Sequence, residues 1–262
     1  MTIIRTFALF VLITAFVAPC HAIEVEKRSV SIPSSSGTIA GTVYVGVPGK
    51  PAPGILLLHT GGGLSGADES YAARLSSEGF QVLVVSYRTN WSNETNAALL
   101  GVLDWLAQSP EVGGQPVGIV GFSLGASKAL ILAGSRPTVR AVVAYYATYD
   151  GMMSKFAKVF RGPPVSPVDV ADKINGAVLL LQALNDDETP PDQTEKMLSL
   201  LKGTVHEIVR YPKGLHMFER EQSYHPRNNI TNFGTHTEFN EDSARDSWQR
   251  SVAWFKKYLT SP

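Results

Sequence analysis

Gly121-Phe122-Ser123-Leu124-Gly125 matches the pattern G-x-S-x-G. The residues on either side give that pattern its meaning. Val117-Gly118-Ile119-Val120 reads as a strand before it, and Ala126 to Ala133 reads as a helix after it. A serine on a sharp strand-to-helix turn is lifted out of the sheet, where it can attack a carbonyl. The turn strains the serine backbone, so its neighbours must lack bulk. Gly121 and Gly125 supply the space, and Ala126 keeps the helix close to the sheet. At the helix N-terminus the Leu124 N–H is free to face a developing oxyanion. The plain alternative is a glycine-rich turn holding an incidental serine.

A serine hydroxyl is a weak nucleophile until a base takes its proton. The chain holds six histidines. His21 lies in an apolar leader and His59 precedes the serine. His206 sits inside a strand pattern, and His225 and His236 lie in a long polar segment. His216 follows the last strand, in Lys213-Gly214-Leu215-His216-Met217-Phe218. A loop there lets a mobile imidazole swing over Ser123, which makes His216 the expected base.

The partner acid belongs at the end of the preceding strand, in the chain order serine, acid, histidine. Leu184-Asn185-Asp186-Asp187-Glu188-Thr189-Pro190 offers three adjacent acids. Asp186, four residues before Pro190, leads over Asp187 and Glu188. The two not used are expected to be solvated loop charges or helix-capping groups.

A second oxyanion donor is expected from His59-Thr60-Gly61-Gly62-Gly63, after the third strand. Successive glycines let the backbone turn its N–H groups inward, and Gly61 and Gly62 are the candidate donors. His59 is expected to hold this loop rather than act as a base. Gly61 to Gly66 also fits G-x-G-x-x-G, a dinucleotide fingerprint. That reading lacks the acid expected about twenty residues on, where Ser86-Tyr87-Arg88 stands, and it leaves Ser123, Asp186 and His216 without a role. His225, His236 and nearby acids fit no standard metal-ligand spacing. No metal or cofactor is expected. Asn93-Glu94-Thr95 and Asn229-Ile230-Thr231 are glycosylation sequons, relevant only in a eukaryotic secretory pathway.

The elements that must position these residues follow from short apolar runs alternating with helical patterns. Strands are expected near 25–32, 38–47, 54–59, 81–86, 116–120, 139–146, 177–183 and 204–211. Helices are expected near 68–79, 93–108, 124–135, 191–202 and 243–259. The first two strands are separated only by Ser34-Ser35-Ser36-Gly37 and read as a hairpin. Runs such as Ile55-Leu56-Leu57-Leu58 are apolar throughout, as in strands covered on both faces. Ala244, Trp248, Val252, Phe255 and Leu259 form one apolar stripe on the last helix.

Residues 1–22 read as a secretory leader. Arg5 is its positive end and Phe7 to Ala18 its apolar run, which is too short to span a bilayer comfortably. Cleavage is expected after Ala22, giving an exported single domain over 23–262 with no stable membrane anchor. Two alternatives are a buried N-terminal helix and lipidation at Cys20. Lysine plus arginine number 23 and aspartate plus glutamate 23, a zero net charge that argues against nucleic-acid binding. With one cysteine, no internal disulfide can form. Oligomeric state is not readable.

Taken together these residues resemble the dienelactone hydrolase family of α/β-hydrolases. The resemblance covers nearly all of residues 23–262. It rests on the serine motif, the Asp186 to Pro190 segment, His216-Met217-Phe218 and Asp242-Ser243-Ala244-Arg245-Asp246-Ser247-Trp248. It implies an α/β-hydrolase fold with an eight-stranded, mostly parallel sheet, and hydrolysis of a small carboxylic ester or lactone. It also favours Asp186, because the family places its acid four residues before that proline. Members that open dienelactones use cysteine where this chain has Ser123, and the family's glycine three residues before the acid is Ala183 here. The triple glycine after His59 is closer to a lipase or esterase loop. These departures favour a serine esterase. Rival readings are a non-catalytic binding protein on the same fold, or a peptidase or carbohydrate esterase with the same triad. The connection from Tyr146 to Gly176 has room for one short helix, Met152 to Phe160, before Gly162-Pro163-Pro164 breaks it. No large cap is expected.

Overall fold

The computed structural model describes residues 25–34, 37–149, 165–189, 191–221 and 236–260. Eight strands form one sheet: β1 (Glu26–Ser34), β2 (Gly37–Val45), β3 (Gly54–Leu58), β4 (Gln81–Val85), β5 (Val117–Phe122), β6 (Val139–Tyr145), β7 (Ala177–Ala183) and β8 (His206–Tyr211). Their order across the sheet is β1-β2-β4-β3-β5-β6-β7-β8. The β1–β2 and β2–β4 pairings are antiparallel, and every pairing from β4 to β8 is parallel. The hairpin and the mostly parallel α/β sheet are as the sequence implies.

Among the described residues, five α-helices cover the sheet: α1 (Gly66–Ser77), α2 (Asn93–Gln108), α3 (Leu124–Ser135), α4 (Pro191–Leu200) and α5 (Glu241–Leu259). Alternate residues of each central strand serve opposite faces, as the two-residue period of a strand requires. Leu56, Leu83, Ile119, Val142 and Leu180 pack with α2, α3 and α4 on one face. Leu57, Val84, Val120, Val143 and Leu181 pack with α1 and α5 on the other. Both sets are buried, which is why the middles of these strands are apolar on both faces.

Element ends differ from the sequence reading by about two residues. Helix α1 begins at Gly66 rather than 68, because the Asp68 carboxylate accepts the Ser65 backbone N–H at 2.9 Å and caps the first turn. Strand β5 continues to Phe122, next to the serine. Helix α5 is capped by the Asn240 side chain, which accepts the Ser243 N–H. Two short 3-10 turns, Pro167–Asp169 and Ala171–Lys173, lie in the β6–β7 connection. The helix expected at Met152 to Phe160 and the leader over residues 1–22 lie outside the described residues. No described helix is long and apolar enough to cross a membrane.

Candidate active site

Ser123 stands between β5 and α3 with φ 52° and ψ −117°, a left-handed backbone that a residue with a side chain rarely adopts. The turn is locked from both sides. Ser123 N–H donates to Tyr145 O at 3.0 Å, and Ser123 O accepts from Ala126 N–H at 2.9 Å. A Cβ at Gly121 would lie 2.3 Å from Gly125 O, and one at Gly125 would lie 2.2 Å from Leu58 O. Both glycines are therefore needed for backbone to pass backbone, and the close passage sets the serine at the C-terminal end of the sheet.

His216 lies in the loop after β8 with its Nε2 3.0 Å from Ser123 Oγ. Its Nδ1 lies 2.8 Å from Asp186 Oδ2. Asp186 Oδ1 accepts N–H bonds from Glu188 at 2.8 Å and Thr189 at 3.2 Å, which fixes the carboxylate. The structure thus brings Ser123, Asp186 and His216 into one hydrogen-bonded line. The imidazole is contacted at both ring nitrogens. It is 2% exposed, its residue bridges Thr237, and the loop is tied to the acid's loop by Asn185 N–H to Gly214 O at 3.1 Å. Burial opposes charge on the ring, but the nearby Asp186 and Glu188 carboxylates outweigh it and push the pKa up to about 9.

The other two acids are not free loop charges. Asp187 pairs with His236 Nδ1 at 2.9 Å, on the exposed side of the loop. Glu188 Oε2 reaches to 3.5 Å from His216 Nε2. His225 lies outside the described residues. Among the described residues, no group of three His, Cys, Asp or Glu is placed to hold a metal ion.

The glycine loop lies against the serine turn. A Cβ at Gly61 would come 3.9 Å from the Leu124 side chain. The Gly62 N–H is engaged by Thr60 Oγ1 at 3.2 Å, and the Gly63 N–H by Thr60 O at 3.1 Å. Of the two expected donors, this favours Gly61 over Gly62. Leu124 is the first residue of α3, where an N–H has no acceptor within the helix. His59 is fully buried and stacks on Tyr87 at 3.9 Å, with its Nδ1 2.8 Å from Thr60 O. Burial holds its pKa below the ordinary imidazole value. It braces the loop. Of the loop's glycines, Gly61 faces the serine turn, whereas a Cβ at Gly63 or Gly66 would meet nothing within 4 Å.

The sequence reading missed two neighbours. Tyr146, after β6, has φ 37° and its ring lies 4.6 Å from the His216 ring. Its hydroxyl donates to Glu219 Oε1 at 2.6 Å. Arg220 is buried and bonds Asp68 and Glu219, each at 2.8 Å, with its guanidinium 4.7 Å over the Phe122 ring. It clamps the first turn of α1 to the His216 loop. Among the described residues, the strained non-glycine residues with positive φ are Ser123, Tyr146 and Met217, and each forms or adjoins this site, as stored strain commonly does. Only the first has a sequence signal, the flanking glycines.

The sequence profile of the dienelactone hydrolase family matches residues 86–259. A carboxymethylenebutenolidase of Rhodococcus opacus is 35% identical over 150 residues, 56% of this chain and 52% of its own. An Escherichia coli K12 relative is 30% identical over 142 residues, 53% of this chain and 45% of its own. The chain thus spans about half the length of these curated relatives. A crystal structure from Klebsiella pneumoniae superposes with a TM-score of 0.74 at 24% identity, covering 89% of this chain and 99% of its own. The acylaminoacyl peptidase of Pyrococcus horikoshii does so at 0.72 and 17%, covering 91% of this chain and 42% of its own. At these identities the structural matches speak to the fold alone, an α/β-hydrolase fold. The profile match covers most of the chain, from Ser86 on β4's edge through α5, and so places it within the dienelactone hydrolase family.

Proposed function

We propose that this protein is an exported serine hydrolase that cleaves small carboxylic esters or lactones through an acyl-enzyme. The observation that supports this most is the line Ser123 Oγ, His216 Nε2, His216 Nδ1, Asp186 Oδ2, with contacts of 3.0 and 2.8 Å. In this reading the Ser123 oxygen attacks the carbonyl carbon while its proton passes to His216 Nε2. The N–H groups of Leu124 and Gly61 hold the oxyanion. His216 then protonates the leaving alkoxide as the carbon–oxygen bond breaks. Water, deprotonated by the same nitrogen, attacks the acyl carbon and frees Ser123. Asp186 fixes the tautomer and stabilises the imidazolium. In a lactone the leaving oxygen stays attached to the product. The name of the Rhodococcus relative makes an unsaturated lactone a candidate substrate. The leader over residues 1–22 supports export, with Ile23 as the mature N-terminus.

A panel of p-nitrophenyl esters, lactones and peptide amides tests the assignment. Turnover of esters or lactones well above that of the amides is expected. Faster amide cleavage would favour a peptidase, and no turnover of any class would overturn the hydrolase reading. Intact mass of the exported protein tests the processing site, and retention of residues 1–22 would contradict it.

A further inference from the structure

The turn that carries Asp186 also brings a second carboxylate to the imidazole. Glu188 Oε2 lies 3.5 Å from His216 Nε2, the same nitrogen that faces Ser123 Oγ at 3.0 Å. The Glu188 N–H donates to Asp186 Oδ1 at 2.8 Å, so one short turn sets one carboxylate at Nδ1 and the other at Nε2. The Glu188 side chain is 17% exposed and the His216 side chain 3%, which limits screening by water.

We propose that Glu188 is a positioning residue for His216, a carboxylate at Nε2 that favours the protonated ring and thereby sets the pH above which the enzyme turns on. This rests on the reading of Ser123 as nucleophile and His216 as base. When the ring is neutral and its proton lies at Nδ1 toward Asp186, Nε2 presents a lone pair. A carboxylate is repelled by that lone pair and attracted by an Nε2–H. Glu188 therefore stabilises the ring that cannot accept the Ser123 proton. It equally stabilises the imidazolium formed once that proton has been transferred. Removing its charge has two opposed effects. The resting base becomes available at lower pH, and the imidazolium of the acyl-transfer step loses support.

The other groups facing the ring do not duplicate this. Asp186 holds Nδ1. Tyr146, 4.6 Å away, is kept neutral by burial, which raises its phenol well above the ordinary value. Glu219 is engaged by the Tyr146 hydroxyl and by Arg220, and the Arg220 charge is matched by Asp68 and Glu219. Glu188 is the carboxylate that shares Nε2 with the serine.

The test is an NMR titration of the His216 ring in a Ser123→Ala background, which needs no activity. Glu188→Gln keeps the side-chain shape and removes the charge. Its His216 midpoint should fall by about one pH unit, the low end of the effect of a nearby opposite charge. Glu188→Asp keeps the charge on a shorter arm and should fall by less. With Ser123 restored, the acidic limb of kcat/KM for p-nitrophenyl acetate should move down by the same amount in Glu188→Gln. An unmoved His216 midpoint in both variants overturns the proposal, even if turnover falls. A midpoint that moves in a protein turning over no ester would sink the hydrolase reading while the Glu188 contact stands.

Discussion

At the scale of single residues, the three adjacent acids divide into three environments. Asp186 takes His216 Nδ1, Asp187 takes His236 on the exposed side, and Glu188 approaches Nε2. Asp186→Asn should therefore cut kcat by a hundred-fold or more, since an amide presents the wrong partner to Nδ1–H, by analogy with the roughly ten-thousand-fold loss for the equivalent change in a serine protease. Asp187→Asn should leave kcat within a few-fold. Equal losses in steady-state assays of the two variants would contradict the assignment. The His216 pKa of about 9 fixes the sign of the pH dependence. The base must be neutral to act, and below that value most rings carry a proton. The kcat/KM of the wild-type enzyme should climb through neutral pH and level off above about 9. A plateau already reached at pH 6.5 would show that the two carboxylates do not hold the ring protonated.

At the scale of elements, the serine turn was legible because its chemistry is local. Glycine, serine and glycine at alternate positions between a strand and a helix admit few other readings. The strands were legible because the middle of each central run is buried on both faces and apolar. Pairings between distant residues were not legible. Arg220 meets Asp68 across 152 positions, and Tyr146 meets Glu219 across 73. No periodicity encodes such contacts. Lys128 is another case. It sits fully buried in α3 with its Nζ 3.1 Å from Asn96 Oδ1, and burial lowers its pKa to about 8. Nothing in the helical pattern around it marks this lysine as buried. The glycines of the turn carry a prediction at this scale. Gly125→Ala puts a Cβ 2.2 Å from Leu58 O, where only backbone movement can relieve it. That variant should melt several degrees lower and lose most of its turnover, because α3 would shift and carry the Leu124 N–H with it. An unchanged melting temperature with full activity would mean that the turn is looser than the structure describes.

At the scale of the whole molecule, specificity in this fold depends on what lies above the strand ends. The β6–β7 connection runs from Tyr146 to Gly176, and from that length the sequence leads us to expect no large lid. A site without such a lid would remove little of a long acyl chain from water, and each methylene contributes about 0.8 kcal/mol only when fully buried. Acetate and butyrate esters should therefore give higher kcat/KM than chains of about ten carbons. A steady rise with chain length across a p-nitrophenyl series would reveal a deep acyl pocket. Beneath these expectations is one claim, that Ser123 is a nucleophile activated by His216 and Asp186. A fluorophosphonate probe tests it directly, because it bonds only to an activated serine. Intact mass and peptide mapping should show one adduct, on Ser123, absent from Ser123→Ala and greatly slowed in His216→Ala. Failure of the wild-type protein to label, or an adduct on another residue, would contradict the account.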